Sequence, residues 1–171
     1  MNLQSNDFEL FGLTQQFAQE RSALDARWKS LQAQAHPDKF AAQGAAAQRL
    51  AMQWSVRINE AYQRLKNPLQ RAAYLCELHG APIQAHSNTA MAPAFFVQQI
   101  EWREALDDAR SLADLEALAA SVDSTQNDLL ARCGQVLDVQ QDYTAAVALV
   151  RSLMFIEKFR HDLDARFDAL S

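Results

Sequence analysis

Three consecutive residues, His36, Pro37 and Asp38, bring an imidazole, a rigid ring and a carboxylate into one short stretch. The imidazole can bridge to backbone or carboxylate groups of a partner, and the carboxylate can accept from an arginine. The proline between them stiffens the backbone, so both groups are presented at little entropic cost on binding. This is recognition chemistry, and the rest of the chain supplies no companions that would turn it into catalysis. None of the serines follows the strand-turn-helix pattern of a nucleophile. Four isolated glycines cannot build a phosphate-cradling loop. His79, His86 and His161 lack metal-ligand spacing and read as a helix end, a linker and a solvent-facing helix position. Cys76 and Cys133 belong to no Cys-x-x-Cys pair and read as two free thiols in helices. No catalytic residue, metal site or cofactor is expected, and the chain is expected not to be an enzyme.

A presented corner needs rigid flanks. Upstream, a helix is predicted from Ser22, with Asp25 three positions on as a capping-box partner. Leu24, Trp28, Leu31 and Ala35 then recur on one face. Pro37 disfavours helical geometry at His36, so the chain must leave as a loop through Asp38, Lys39 and Phe40 to Gly44. A second long helix is predicted over 45–66, with Leu50, Trp54, Ile58, Ala61 and Leu65 as its stripe and Tyr62 beside them. Asn67-Pro68 breaks it. A further helix, 69–79, ends at His79-Gly80. Ahead of all these, Phe8 to Leu13 reads as a short apolar turn of helix stopped at Gly12.

Residues 80–92, with Pro82, Ser87, Asn88 and Thr89, read as a linker. Three helical stretches follow, over about 93–109, 111–137 and 141–169. The second carries Leu112, Leu115, Ala119, Val122, Leu129, Cys133 and Val136 at steps of three and four, and the third carries Leu149, Leu153, Ile156, Leu163, Phe167 and Leu170. Such stripes with short connections predict antiparallel packing in a bundle. On the first stretch, Phe95, Trp102, Leu106 and Ala109 fall within about 60° of one another and form the core face. Phe96, Ile100 and Glu104 fall on another face, with Val97, Glu101 and Asp108 beside them. Apolar groups mixed with carboxylates and turned from the core suit a partner-binding surface. The alternative is that Phe96 and Ile100 pack against the N-terminal module or the linker.

Composition agrees with an all-α chain. Of 171 residues 49% are hydrophobic, and only four are glycine and four proline, while strand formers are sparse. No apolar run approaches the ~18 residues of a membrane span. The first residues show no basic patch followed by an apolar stretch, so a soluble, cytoplasmic chain without membrane contact is expected. Residues 1–75 hold nine Lys/Arg against six Asp/Glu, a net of +3, whereas 76–171 hold seven against fifteen, a net of −8. Opposite signs predict two modules that meet different partners, and +3 is too little for nucleic acid.

The His-Pro-Asp corner between amphipathic helices, with Arg27 and Lys29 on the first, Lys39 in the loop, Asn59-Glu60-Ala61-Tyr62 on the second and Asn67-Pro68 after it, resembles the J-domain. That module stimulates ATP hydrolysis by DnaK-type chaperones. The resemblance reaches over the whole chain. The runs Phe8 to Leu13, His36 to Phe40, Asn67-Pro68-x-x-Arg71-Ala72-x-Tyr74-Leu75 and Leu78-His79-Gly80 are similar to the HscB family, J-type co-chaperones of bacterial iron–sulfur cluster assembly. The glycine-rich or zinc-binding segments of general J-proteins and the cysteine tetrad of eukaryotic relatives are absent.

This resemblance implies a J-domain over 1–75, a connecting helix end and linker over 76–92, and a C-terminal three-helix bundle over 93–171. It implies that His36, Pro37, Asp38, Lys39, Arg27 and Lys29 bind a specialised chaperone ATPase, HscA. It implies that Phe96, Val97, Ile100, Glu101, Glu104 and Asp108, with Phe155 from the last helix, bind the iron–sulfur scaffold IscU. Arg27 and Lys29 lie two apart and diverge, so they supply a diffuse steering field more than a paired grip. Two features depart from the family pattern. Ala35 stands where an aromatic residue usually precedes the histidine, and Ser30, Gln32 and Gln34 occupy positions where cations are common, which implies modest affinity or a specialised partner. A J-domain co-chaperone serving a different client is the rival reading, and the C-terminal patch separates the two.

Overall fold

The computed structural model describes residues 2–84 and 90–171, and every regular element among them is helical. In chain order these are α1 (Asp7–Phe11), α2 (Arg21–Ala35), α3 (Ala45–Lys66), α4 (Pro68–Leu78), α5 (Pro93–Asp108), α6 (Leu112–Gly134) and α7 (Tyr143–Leu170). A 3-10 turn, Pro37–Gln43, joins α2 to α3, and a π turn, Gln135–Gln140, follows α6. The chain divides into two units, Met1–Tyr74 and Leu75–Ser171. None of these helices is long and apolar enough to cross a membrane.

The first unit is built on the antiparallel pair α2 and α3. A ladder of polar contacts sets its register. Tyr62 donates to Asp25 at 2.7 Å, Trp28 Nε1 donates to Asn59 at 3.0 Å, and Ser55 donates to Gln32 at 3.0 Å. Each step of three or four residues forward along α2 therefore meets the same step backward along α3. The Trp28 ring lies on the Tyr62 ring at 4.6 Å, so the Asn59 to Tyr62 run is the seam of the pair. The Tyr62 hydroxyl, and after it the Arg21 guanidinium, hold the Asp25 carboxyl below its ordinary range.

α1 packs against both helices of this pair. Asn6 caps it by accepting from Glu9 N–H at 2.9 Å, and Gly12, at φ +64°, ends it. Phe8, Leu10 and Phe11 are buried beneath. Asp7 is wholly buried, and its carboxylate meets Arg57 and Arg64 of α3 at 2.8 Å each. Its N–H donates to the Tyr74 hydroxyl at 2.9 Å. Asn67 accepts from Leu69 N–H at 2.9 Å and caps α4, with Pro68 at the first helical position. Buried Arg71 donates to the carbonyls of Phe17 and Leu65 and stacks on the Phe17 ring, which pins α4 to the segment before α2. The Asn67-Pro68-x-x-Arg71-x-x-Tyr74 run is thus a set of structural anchors.

In the second unit α6 runs antiparallel to α5 and α7, which are parallel to each other. Trp102 donates to Ser121 across α5 and α6 at 3.3 Å. Arg103 reaches Asp162 and Arg166 reaches the Ala109 carbonyl, so later residues of α5 meet later residues of α7. Phe95, Trp102, Leu115, Val122, Ile156 and Phe159 lie in the core between them.

Several local expectations change. Ser22 does not start α2: the helix begins at Arg21, and the Ser22 hydroxyl donates to Glu20 at 3.2 Å. Asp25 is already taken by Arg21 and Tyr62, which leaves no capping-box partner. The stretch after Pro37 is a 3-10 turn instead of an irregular loop. Leu50 is half exposed, and Ala51 takes its place in the core. On α6 Leu112 is exposed and Leu118 buried, because the face turned to α7 lies one step further round. The wider π turn keeps Leu129, Cys133 and Leu137 in line and leaves Val136 only half buried. Phe167 and Leu170 are half buried at the end of α7.

The stretch read as a connection is partly built into the second unit. Cys76 donates to the Tyr143 carbonyl at 3.8 Å, the His79 ring stacks on Tyr143 at 3.8 Å, and buried Ile83 accepts from Arg151 at 2.9 Å. Gly80, at φ +74°, ends α4 with paired bonds from Gly80 N–H to the Glu77 carbonyl and from Ala81 N–H to the Cys76 carbonyl. Cys76 and Cys133 are free and buried. His161 is exposed, and His86 lies outside the described residues.

Candidate functional site

The corner follows from Pro37. His36 takes extended backbone angles, φ −62° and ψ 127°, which ends α2, and Pro37 opens the 3-10 turn. His36 then caps that turn with its own ring: Nδ1 accepts from Asp38 N–H at 3.2 Å. Its carbonyl accepts from Lys39 N–H at 3.0 Å. The Asp38 carboxylate stands 3.6 Å from the same Nδ1. Both side chains face solvent, with His36 57% and Asp38 91% exposed. A neutral ring that accepts at Nδ1 carries its proton on Nε2, so the corner offers a donor and a carboxylate together.

Three cations surround it in sequence. Lys39 is exposed within the turn, and Arg27 and Lys29 are exposed on opposite flanks of Trp28. Arg27 and Lys29 lie about two turns or more from His36, about 10–14 Å along the axis of α2. The Arg27 guanidinium rests against Gly12, 3.2 Å from where a Cβ would stand. This places the Arg27 charge beside the end of α1, a proximity invisible in the spacing. Beside the corner, Ala35, Leu31, Phe40, Leu50 and Trp54 line an apolar cleft of about 400 Å³ between α2 and α3.

In the second unit, α5 shows the two faces that its periodicity separates. Phe95, Trp102, Leu106 and Ala109 are buried. Phe96 and Val97 are each 55% exposed and Ile100 43%, so these apolar groups are open to solvent. Glu101, Glu104 and Asp108 are exposed beside them. Phe155 of α7 is half buried, edge-on to Phe95 at 5.8 Å and parallel to Phe159 at 6.0 Å. Sequence reasoning passed over Arg103, whose guanidinium lies 5.7 Å from the Phe155 ring centre. Its position three after Ile100, on the same row, is the signal that was there to read. Next to this face, a groove of about 530 Å³ between α5 and α6 is lined by Glu101, Asp108 and Asp114 among others. Hydrogen bonds, first that from Arg110 N–H, hold the Asp114 carboxyl below its ordinary range. Among the described residues no group of three His, Cys, Asp or Glu side chains is placed to hold a metal ion.

An exposed His-Pro-Asp corner on an antiparallel helix pair, followed by a three-helix bundle, defines an all-α J-domain protein with an appended bundle. Residues 91–164 match the family model described as the HSCB C-terminal oligomerisation domain. A Burkholderia multivorans protein described as a co-chaperone protein HscB homolog is 47% identical, over 99% of this chain and 98% of its own. A Cupriavidus taiwanensis protein with the same description is also 47% identical, over 98% of this chain and 97% of its own. The solved structure of chaperone HscB from Vibrio cholerae is similar at a TM-score of 0.83 with 36% identity, covering 98% of this chain and all of that one. The human co-chaperone protein HscB shares the fold, with a TM-score of 0.90 at 23% identity over 97% of this chain and 84% of that one. The chain belongs to the HscB co-chaperone family.

Proposed function

We propose that this chain is a cytoplasmic co-chaperone, not an enzyme, that stimulates the ATPase of an HscA-type chaperone and delivers an IscU-type scaffold to it for iron–sulfur cluster assembly and transfer. The observation that carries the first half is the solvent-facing His36–Asp38 corner, tied by its own backbone bonds and so ready to dock without ordering. What supports the second half is the exposed Phe96, Val97 and Ile100 row bordered by carboxylates, in a unit distinct from the corner. Family membership supports both.

The corner contributes no bond-making step. It binds the hydrolysis-competent state of the chaperone better than the idle state and so shifts the population toward hydrolysis. Arg27, Lys29 and Lys39 steer an acidic chaperone surface toward the corner. Phe96, Val97, Ile100 and Phe155 supply apolar contact to the scaffold, and Glu101, Glu104 and Asp108 set its charge preference. Carrying both sites on one chain raises the effective concentration of scaffold at the chaperone.

The test is single-turnover ATP hydrolysis by purified HscA with and without the full chain, alongside calorimetry against purified IscU. Stimulated hydrolysis together with saturable IscU binding is expected. Hydrolysis without stimulation ends the reading, and stimulation without IscU binding assigns the chain to a different client.

A further inference from the structure

Phe155 protrudes from α7 but belongs to an aromatic cluster that does not by itself fix how much of its ring faces outward. Phe95 meets it edge-on and Phe159 lies parallel to it, which leaves one side of the ring to be set by something else. Arg103 lies over this ring. Its guanidinium lies 5.7 Å from the Phe155 centroid and 5.2 Å from that of Phe159, within the range of cation–π attraction. Arg103 Nη1 in turn donates to Asp162 Oδ2 at 2.6 Å, one turn of α7 beyond Phe159.

Arg103 also sits where the two helices of the patch meet. At 100° per residue it falls within about 20° of Phe96 on the α5 wheel, between the exposed row and the core face. Both ends of the ion pair are open to solvent, at 44% and 50% exposure, so the pair adds little to the fold by itself. Its geometric effect is larger, because a planar group anchored at one end covers the ring more rigidly than a free side chain.

The geometry points to Arg103 and Asp162 as a clamp that positions Phe155 for the scaffold partner. Arg103 is a positioning residue here and acts through Phe155. This inference rests on the proposed scaffold-binding patch and adds a component that the patch lacks. Phe155 presents a pre-set edge because the clamp holds it, and binding then spends less free energy on ordering the ring.

A double-mutant cycle on the full chain, read by calorimetry against purified IscU, tests the clamp. Arg103→Ala is expected to weaken binding roughly tenfold alone, and by less than about twofold when added to Phe155→Ala. Asp162→Ala is expected to weaken binding and Asp162→Glu to restore it, a rescue that a generally loosened bundle would not show. Losses that simply add, or an Arg103→Ala chain with unchanged affinity while Phe155→Ala is weakened, would overturn the clamp and leave the patch standing. Unchanged affinity in Phe155→Ala removes the patch and the clamp together.

Discussion

The backbone N–H of Asp38 donates to Nδ1 of His36 at 3.2 Å, so the two ends of the corner order each other within the free chain. The contact depends on Pro37, which forbids His36 the helical angles that would carry the ring away along α2. A ring nitrogen engaged this way leaves the opposite nitrogen as the donor to a partner.

Replacing His36 with Gln removes the rigid ring that couples acceptor and donor. Stimulation of HscA is expected to fall to background, while IscU affinity stays within about twofold, as for a change remote from a binding site. Single-turnover hydrolysis that remains stimulated in His36→Gln refutes the role of the corner.

Phe155→Ala or Glu104→Ala is expected to weaken the IscU complex, by roughly tenfold for the aromatic and less for the rim carboxylate. Unchanged calorimetric affinity in both variants would exclude the patch.

Asp7 is buried between Arg57 and Arg64, and its removal takes away the carboxylate that both guanidinium groups share, leaving Arg57 only the carbonyls of Leu3 and Ser5. Asp7→Ala is expected to destabilise the first unit by about 3 kcal/mol. Urea unfolding with an unchanged midpoint would show that the triad is dispensable.

Ala35 lines the apolar cleft beside the corner, and a larger side chain there has room to enter. Ala35→Phe is expected to stabilise the first unit by about 1 kcal/mol through added apolar burial. A lower thermal midpoint would mean that the cleft walls cannot admit the ring.

Burial pushes the Cys76 thiol up to about 11 and the Cys133 thiol up to about 12. At pH 8 on the order of one Cys76 thiol in a thousand is ionised, so labelling of the native chain should be slow and should accelerate with denaturant. Folded-state values above the unfolded value mean that the proton is bound more tightly in the native chain. The associated stability is complete below about pH 9 and is lost as pH rises toward 11 and beyond. Rapid stoichiometric labelling at pH 8 without denaturant would contradict this burial.

The helix pair, the corner and the two faces of α5 were legible because their signals are local. Pro37 acts on its immediate neighbour, and the spacing of Phe95, Trp102, Leu106 and Ala109 is a property of one helix. Leu50 and Leu112 misled because a stripe shows which residues share a face, while the neighbouring helix decides which part of that face it covers. The Ser22 cap failed for a similar reason, since its partner Asp25 is claimed by Tyr62, 37 residues away.

By itself the chain's order of residues determined the helices, where they stop, and the presence of one rigid corner and one mixed apolar and acidic face. Only the folded arrangement decided that Arg27 rests on Gly12, that Asp7 is locked between two arginines, and that Arg103 covers Phe155. Backbone preference and periodicity act over a few residues, whereas such contacts join groups brought together by packing from segments 15 to 57 residues apart.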